Sequence, residues 1–152
     1  MKTLISFCVC LLFSMESFGF SIDLDYIRNH YQQAVSDKKL CEEMINELEK
    51  VKDTNVYLAY LGSFQTIWAN HVTNPFSKLR TFRKGKENIE KAINSDSNNI
   101  EIRLIRLSVQ KNCPSFLGYS KNINEDEQFI GTHKKDVQSE SLMKFLDTVL
   151  NK

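Results

Sequence analysis

Two arginines and a glutamine form the group in this sequence that is best suited to hold an anion. Arg103, Arg106 and Gln110 are spaced by three and four residues, so they lie on one face of a helix predicted over residues 100–111. Guanidinium groups one helical turn apart can converge on a single carboxylate or phosphate. These three residues are therefore the first candidates for a ligand or partner site.

The remaining positions of that predicted helix are largely apolar, which indicates that most of its surface is buried. Two interpretations of the arginines follow from this burial. Arg103 and Arg106 either reach solvent at a ligand groove, or they pair inside the fold with Glu87 or Glu90 of the preceding helix. The sequence leaves both alternatives open.

A second candidate for anion binding is a cluster of cations in the preceding helix. The five cations, which fall within nine residues, are Lys78, Arg80, Arg83, Lys84 and Lys86. The functional interpretation is a surface for an anionic ligand, and Arg83 is its candidate site residue. In the alternative, the cluster is a solvated helix face whose cations pair with Glu87 and Glu90 at three- and four-residue spacing.

An apolar loop follows the arginine helix and could contact a partner. Residues 114–119 read Pro-Ser-Phe-Leu-Gly-Tyr. An apolar loop is either packed under its neighbours or exposed to a partner. If the loop is exposed, Phe116 and Tyr119 are the natural anchors, because aromatic side chains dominate binding energies at interfaces.

Recognised motifs for catalysis and for metal binding are missing from the sequence. The three histidines, His30, His71 and His133, are isolated, whereas zinc ligands usually occur in pairs a few residues apart. We therefore expect no metal, no cofactor and no enzymatic activity. The alternative is a small envelope enzyme with dispersed acid and base residues, such as His71 with an Asp or Glu of another helix.

The elements that must position these residues are helices, because apolar residues repeat with helical spacing along the chain. The helices are predicted at about residues 22–35, 40–51, 55–71, 75–94, 100–111, after Asn124, and 142–150. The third is apolar around most of its circumference, so we expect it at the centre of the fold. Phe76 is expected in the core, and Asn124 is expected to cap a first turn of acidic residues.

Part of this pattern resembles a known helical repeat. Gly85, Ile89, Ala92 and the turn at residues 96–101 resemble the second helix and closing turn of a tetratricopeptide repeat, and Leu61-Gly62 is similar to the Leu-Gly pair of its first helix. The resemblance implies antiparallel helix pairs that present a surface for binding.

The sequence also resembles a group of small secreted proteins of Bacteroidota. The resemblance is carried by Asn74-Pro75-Phe76, Glu101-Ile102-Arg103, Arg106 and residues 114–119. It implies a helical fold and an extracytoplasmic compartment, and it implies no activity.

The start of the sequence predicts the compartment. Lys2 is followed by an apolar run over residues 3–15, and Ser17 and Gly19 provide the small residues that a signal peptidase recognises. We predict a cleaved signal peptide at residues 1–19 and a secreted or periplasmic protein. The run is shorter than the roughly 20 apolar residues that span a bilayer, so we expect no stable membrane insertion.

Composition and cysteine content narrow the remaining possibilities. The formal net charge of the 152 residues is +1, which gives no broad field for nucleic-acid binding. Cys41 and Cys113 remain after the predicted cleavage, and two cysteines in an oxidising compartment invite a disulfide. Alternatively, Cys41 is a buried thiol on an apolar helical stripe.

These observations together predict one all-α domain over residues 20–152. We expect about six or seven helices in antiparallel, tetratricopeptide-like pairs. The expected function is a binding or scaffold module for a protein or peptide partner in the cell envelope, and a small folding or assembly accessory is a further possibility.

Overall fold

The computed structural model describes residues 22–151, and all regular secondary structure in that part of the chain is helical. The α-helices are α1 (Leu24–Ser36), α2 (Lys38–Val51), α3 (Asn55–His71), α4 (Pro75–Ser95), α5 (Ile100–Asn112), α6 (Ile123–His133) and α7 (Glu140–Leu150). Short 3-10 turns occupy Ser115–Leu117 and Lys134–Asp136. The all-α fold is confirmed, whereas the predicted signal peptide lies outside the described residues.

Polar side chains fix where several helices begin. Asp37 accepts a hydrogen bond from the Leu40 amide at 3.0 Å, and Asn74 accepts one from the Ser77 amide at 3.0 Å. Asn99 accepts from two amides at the start of α5, at 3.1 and 3.2 Å. Each cap satisfies amides that have no partner within their own helix, so the polar turns of the sequence set the helix boundaries.

Helix α3 lies at the centre of the described fold, as its apolar circumference predicts. Every residue from 58 to 67 is buried, and α3 packs against α1, α2, α4 and α5. The larger core cluster draws on all seven α-helices of the described chain. A smaller cluster joins the ends of α3, α4 and α5 to the loop that follows α5, and its members are Ala69, Phe82, Ile89, Val109 and Tyr119.

The α3 and α4 backbones approach each other at two glycines. A Cβ atom added to Gly62 would lie 2.5 Å from the carbonyl oxygen of Gly85, and one added to Gly85 would meet the carbonyl oxygen of Gly62 equally closely. Only glycine fits at these two positions. The contact joins α3 and α4 into one tightly packed antiparallel pair.

The start of α6 differs from the prediction. The helix begins at Ile123 and not after Asn124, and Asn122 occupies the cap position without a side-chain cap bond. Asp126, expected in the acidic first turn that Asn124 would cap, has an exposed fraction of 0%. The physical reason is the pairing of its carboxylate with Arg103 and Arg106 of α5, described below.

The expectation that Phe76 belongs to the core is wrong. Its exposed fraction is 85%, and the buried positions of α4 begin only at Phe82. The first turns of α4 therefore extend beyond the core, although their apolar spacing matches that of the buried turns. Periodicity reports the face of a helix and not where along the helix burial starts.

Both cysteines of the described chain are free thiols. Cys41 is fully buried in α2, and its thiol donates to the carbonyl oxygen of Phe64 at 3.5 Å. Burial raises the pKa of Cys41 to about 12, so the thiol stays protonated and packs as a small apolar side chain.

Candidate functional site

The two arginines of α5 bind one buried carboxylate. Arg106 donates from Nε and Nη2 to the two oxygens of Asp126, both at 2.7 Å, and Arg103 donates from Nη1 to Asp126 Oδ1 at 2.9 Å. Two guanidinium groups on adjacent turns of α5 therefore converge on a carboxylate, as their spacing predicts. The carboxylate belongs to α6 of the same chain.

Further contacts use the remaining donors of the same arginines. Arg103 donates to the backbone carbonyl of Ser97 at 2.6 Å and to Glu125 at 2.9 Å, and its guanidinium lies 4.3 Å from the centre of the Phe129 ring. Arg106 lies 3.7 Å from a carboxylate oxygen of Glu90. Of the two interpretations, the structure displays internal pairing, with Asp126 as the main partner and Glu90 as a secondary one.

Electrostatics within this cluster favour the ionised forms. Burial alone would lower the pKa of Arg106, but the hydrogen bonds and charge of Asp126 raise it overall. The pKa of Glu125 is lowered, first by the hydrogen bond from Arg103 and then by the one from Asn122. The cluster is thus a set of ion pairs that fastens α6 to α5.

Gln110 lies one turn beyond the arginines and is also buried. Its amide nitrogen donates to Asn122 at 3.3 Å, and its side-chain oxygen has no hydrogen-bond partner within residues 22–151. The Nε2 atom of His71 likewise has no hydrogen-bond partner in that part of the chain. The His71 ring packs against Trp68 with 5.7 Å between the ring centres. Neither residue belongs to a cluster of His, Cys, Asp and Glu that could hold a metal ion in that part of the chain.

A second buried ion pair was missed by the sequence reasoning. Arg28 of α1 donates from Nε and Nη2 to the two oxygens of Glu101, both at 2.7 Å, and the Tyr60 hydroxyl donates to the same carboxylate at 2.7 Å. Arg28 also donates to Ser139 and Ser141 at the start of α7. The signal in the sequence is Glu101, an acidic residue on a helix predicted to be buried, which therefore requires a cation.

The cation cluster of α4 does not join the arginines of α5. Arg83 is exposed and takes part in no ion pair within the described residues. Lys84 lies 3.6 Å from Glu49 of α2, in place of the expected partners on its own helix. Lys86 lies 4.9 Å above the ring of Tyr119.

In the loop after α5, one of the two aromatic residues is buried and the other is exposed. Tyr119 has an exposed fraction of 2%, and its hydroxyl donates to Glu90 at 2.7 Å. Phe116 has an exposed fraction of 84%. The left-handed conformation of Gly118, with a φ of 61°, separates the two residues and reverses the chain between them.

An open cavity of about 470 Å³ lies beside Phe116, where the ends of α1, α3, α4 and α5 meet the loop. Its buried floor includes Ile67, Ala69, Phe82 and Val109. The volume falls within the roughly 300–1,000 Å³ that is typical of small-molecule sites. The cavity is therefore large enough to receive a small-molecule ligand.

Partners within the protein already satisfy the polar groups at the cavity floor. Thr66 donates to the Ser63 carbonyl at 2.7 Å, and the hydroxyls of Ser108 and Tyr31 lie 3.5 Å apart. Among the lining residues of the described chain, Lys78 is the only one with a formal charge. The cavity is thus apolar in depth and carries one cation in its wall.

Two features singled out in the sequence reach this cavity, which are the apolar loop, through Pro114, Phe116 and Leu117, and the cation cluster, through Lys78. Most of the other lining residues lie on helices, where spacing in sequence does not distinguish them from core positions. A space opens there because four helix ends meet, and that meeting is a tertiary feature.

No protein-family model, curated protein or solved structure matches this chain.

Proposed function

We propose that the chain is a secreted or periplasmic helical-repeat module that binds a ligand in the cavity between α1, α3, α4, α5 and the loop at residues 114–119. The observation that carries the proposal is an open, apolar cavity with an exposed aromatic ring, Phe116, at its edge. Large exposed apolar side chains beside a concave surface are typical of binding sites.

The tetratricopeptide-like interpretation is supported by the α3 and α4 pair. The glycines that carry the resemblance, Gly62 and Gly85, are the residues at which the two helices approach most closely. Helix α1 also packs against α2, and α5 packs against α6. In such repeats the ends and grooves of adjacent pairs provide the binding surface.

Binding is favoured over catalysis by the chemistry of the cavity wall. The lining residues of the described chain include no carboxyl group and no imidazole, which are the usual general acids and bases.

None of the described helices is long and apolar enough to cross a membrane. The proposed compartment rests on residues 1–19 of the sequence.

The proposal is tested with Nile red, an uncharged dye that fluoresces in apolar surroundings. The intact protein should bind the dye, and Leu79→Trp, which fills the cavity, should weaken binding by about tenfold or more. Phe76→Trp on the same helix is the matched control, because Phe76 is exposed and outside the cavity wall. Melting temperatures of both variants report whether the fold is kept.

A second filling variant, Leu117→Trp in the loop, keeps the test decisive if Leu79→Trp fails to fold. Absence of dye binding by the intact protein would refute the proposed function. Equal dye binding by the intact protein and a folded cavity-filling variant would refute the placement of the site.

A further inference from the structure

We propose that the cavity takes a fatty carboxylate, with the aliphatic chain on the apolar floor and the carboxylate group at Lys78. This inference rests on the proposed function and names the chemical class of its ligand. It follows from the polarity of the floor, from the charge of the wall and from the volume.

The floor is suited to a chain without hydrogen-bonding groups. Ile67, Phe82 and Val109 contribute apolar surface, and the floor hydroxyls of Thr66 and Ser108 have partners inside the protein. The floor hydroxyls are therefore already engaged in hydrogen bonds, and the rest of the floor is apolar.

A peptide is disfavoured by the same observation. Its amides and carbonyls would lose their hydrogen bonds to water and would meet an apolar floor, which is costly for each unpaired group. An aliphatic chain has no hydrogen bonds to water to lose, and the free energy of its burial becomes more favourable in proportion to its length. The floor thus selects a ligand whose buried part is hydrocarbon.

The wall of the cavity selects an anion over a neutral head group. Lys78 is the sole formally charged lining residue of the described chain, and it forms no ion pair within residues 22–151. The exposed amide of Asn70 lies in the same wall and carries donors that suit a carboxylate. Asn112 also lies there, and its amide nitrogen donates one hydrogen to the Ser108 carbonyl at 2.8 Å, which leaves the other for a ligand. No lining carboxylate of the described chain opposes an incoming negative charge.

The experiment displaces Nile red from the full chain with decanoate, dodecanoate and 1-dodecanol. Dodecanoate should bind about fifteenfold more tightly than decanoate, since each of its two added methylenes contributes a factor of about four. It should also bind about fivefold more tightly than dodecanol at low salt, and this preference should shrink as salt is added, because the lysine is exposed.

Lys78→Gln should abolish the preference for dodecanoate over dodecanol and leave the binding of dodecanol unchanged. Lys91→Gln is the matched control, because Lys91 is an exposed lysine of the same helix outside the cavity wall. The control should keep the full preference. Neither lysine forms an ion pair in the described chain, so both variants are expected to fold.

The outcomes separate this inference from the proposed function. Binding of Nile red without displacement by any of the fatty ligands would overturn the inference and leave the binding site standing. The inference is also wrong if Lys78→Gln retains the preference for the carboxylate, or if a short leucine-rich peptide displaces the dye better than dodecanoate does. Failure of Nile red to bind at all would remove the proposed function itself.

Discussion

At the scale of single residues, the described chain concentrates its buried charge in two places that fasten helices distant in sequence. Asp126 joins α6 to α5 through Arg103 and Arg106, and Glu101 joins α5 to α1 through Arg28. A buried carboxylate is tolerated only when cations and hydrogen bonds replace the water that it loses. Arg103 and Arg106, which the sequence suggests as binding residues, therefore form ion pairs inside the fold.

Removing one arginine should therefore destabilise the fold. Arg106→Met leaves the Asp126 carboxylate buried with Arg103 as its remaining close cation, and breaking a buried pair costs about 3–5 kcal/mol of unfolding free energy. Urea denaturation measures the loss. Arg83→Met is the matched control, because Arg83 is exposed and outside the ion pairs of the described chain, and it should change stability little.

One outcome for this pair of variants would contradict the expected loss of stability. Arg106→Met with unchanged stability would show that the ion pair with Asp126 contributes nothing to folding. The arginine would then be available for a ligand, as the groove interpretation holds.

The sequence predicts the arginine cluster only in part, for a physical reason. Helical spacing shows that Arg103 and Arg106 share a face, and the apolar remainder of the helix shows that they are buried. Their partner is hidden because Asp126 follows an irregular loop, where no periodicity fixes which side chains point inward. An acid in the first turn of a helix has a sufficient explanation in the helix dipole alone.

At the scale of elements, the α3 and α4 pair depends on the two glycines that face each other. The backbones can approach closely only because neither residue carries a Cβ atom. The nearest neighbour that a Cβ would meet at either position is a backbone carbonyl oxygen, which cannot move aside as a flexible side chain can. Small residues at this contact thus set the distance between the two helices.

Gly62→Ala should lower the unfolding free energy by about 1–3 kcal/mol or more, because overpacking a close backbone contact forces the helices apart. Gly131→Ala is the matched control. Gly131 lies within α6 with nothing near an added Cβ, so alanine should stabilise the helix by about 0.5–1 kcal/mol. Thermal melting of both variants checks the opposite signs, and a neutral Gly62→Ala would contradict the close packing of α3 and α4.

The boundaries of α3, α4 and α5 follow closely from the sequence. The expected third helix matches α3, and the expected fourth and fifth helices differ from α4 and α5 by one residue at their ends. Polar caps and prolines give sharp local signals at these positions. The α6 start and the burial of Phe76 fail because both depend on what packs against the element.

At the scale of the whole molecule, the described fold surrounds three tyrosines that behave alike. Burial raises the pKa of Tyr31, Tyr60 and Tyr119, and for Tyr60 and Tyr119 the charges of Glu101 and Glu90 raise it further. Their hydroxyls contribute to contacts between different elements of the fold, so above pH ~10 each phenol stays neutral only while the fold holds it in place. Ionisation of these tyrosines and unfolding are therefore linked.

The fold should consequently lose stability in alkali. A tyrosine in the unfolded chain ionises at a pH of about 10, whereas the folded pKa of these three residues is higher. Their contribution to stability is fully present below pH ~10 and falls as the pH rises toward the folded pKa, because the unfolded state then binds fewer protons. Each tyrosine contributes at most about 1.4 kcal/mol per pH unit to the loss.

Urea denaturation across this range should give a falling free energy of unfolding, and the tyrosinate absorption band should rise together with unfolding. In Tyr60→Phe, where Arg28 still pairs with Glu101, the decline should be shallower by one tyrosine's share. Tyrosinate absorption that accounts for all five tyrosines of the sequence while the helical circular dichroism stays constant would contradict the linkage.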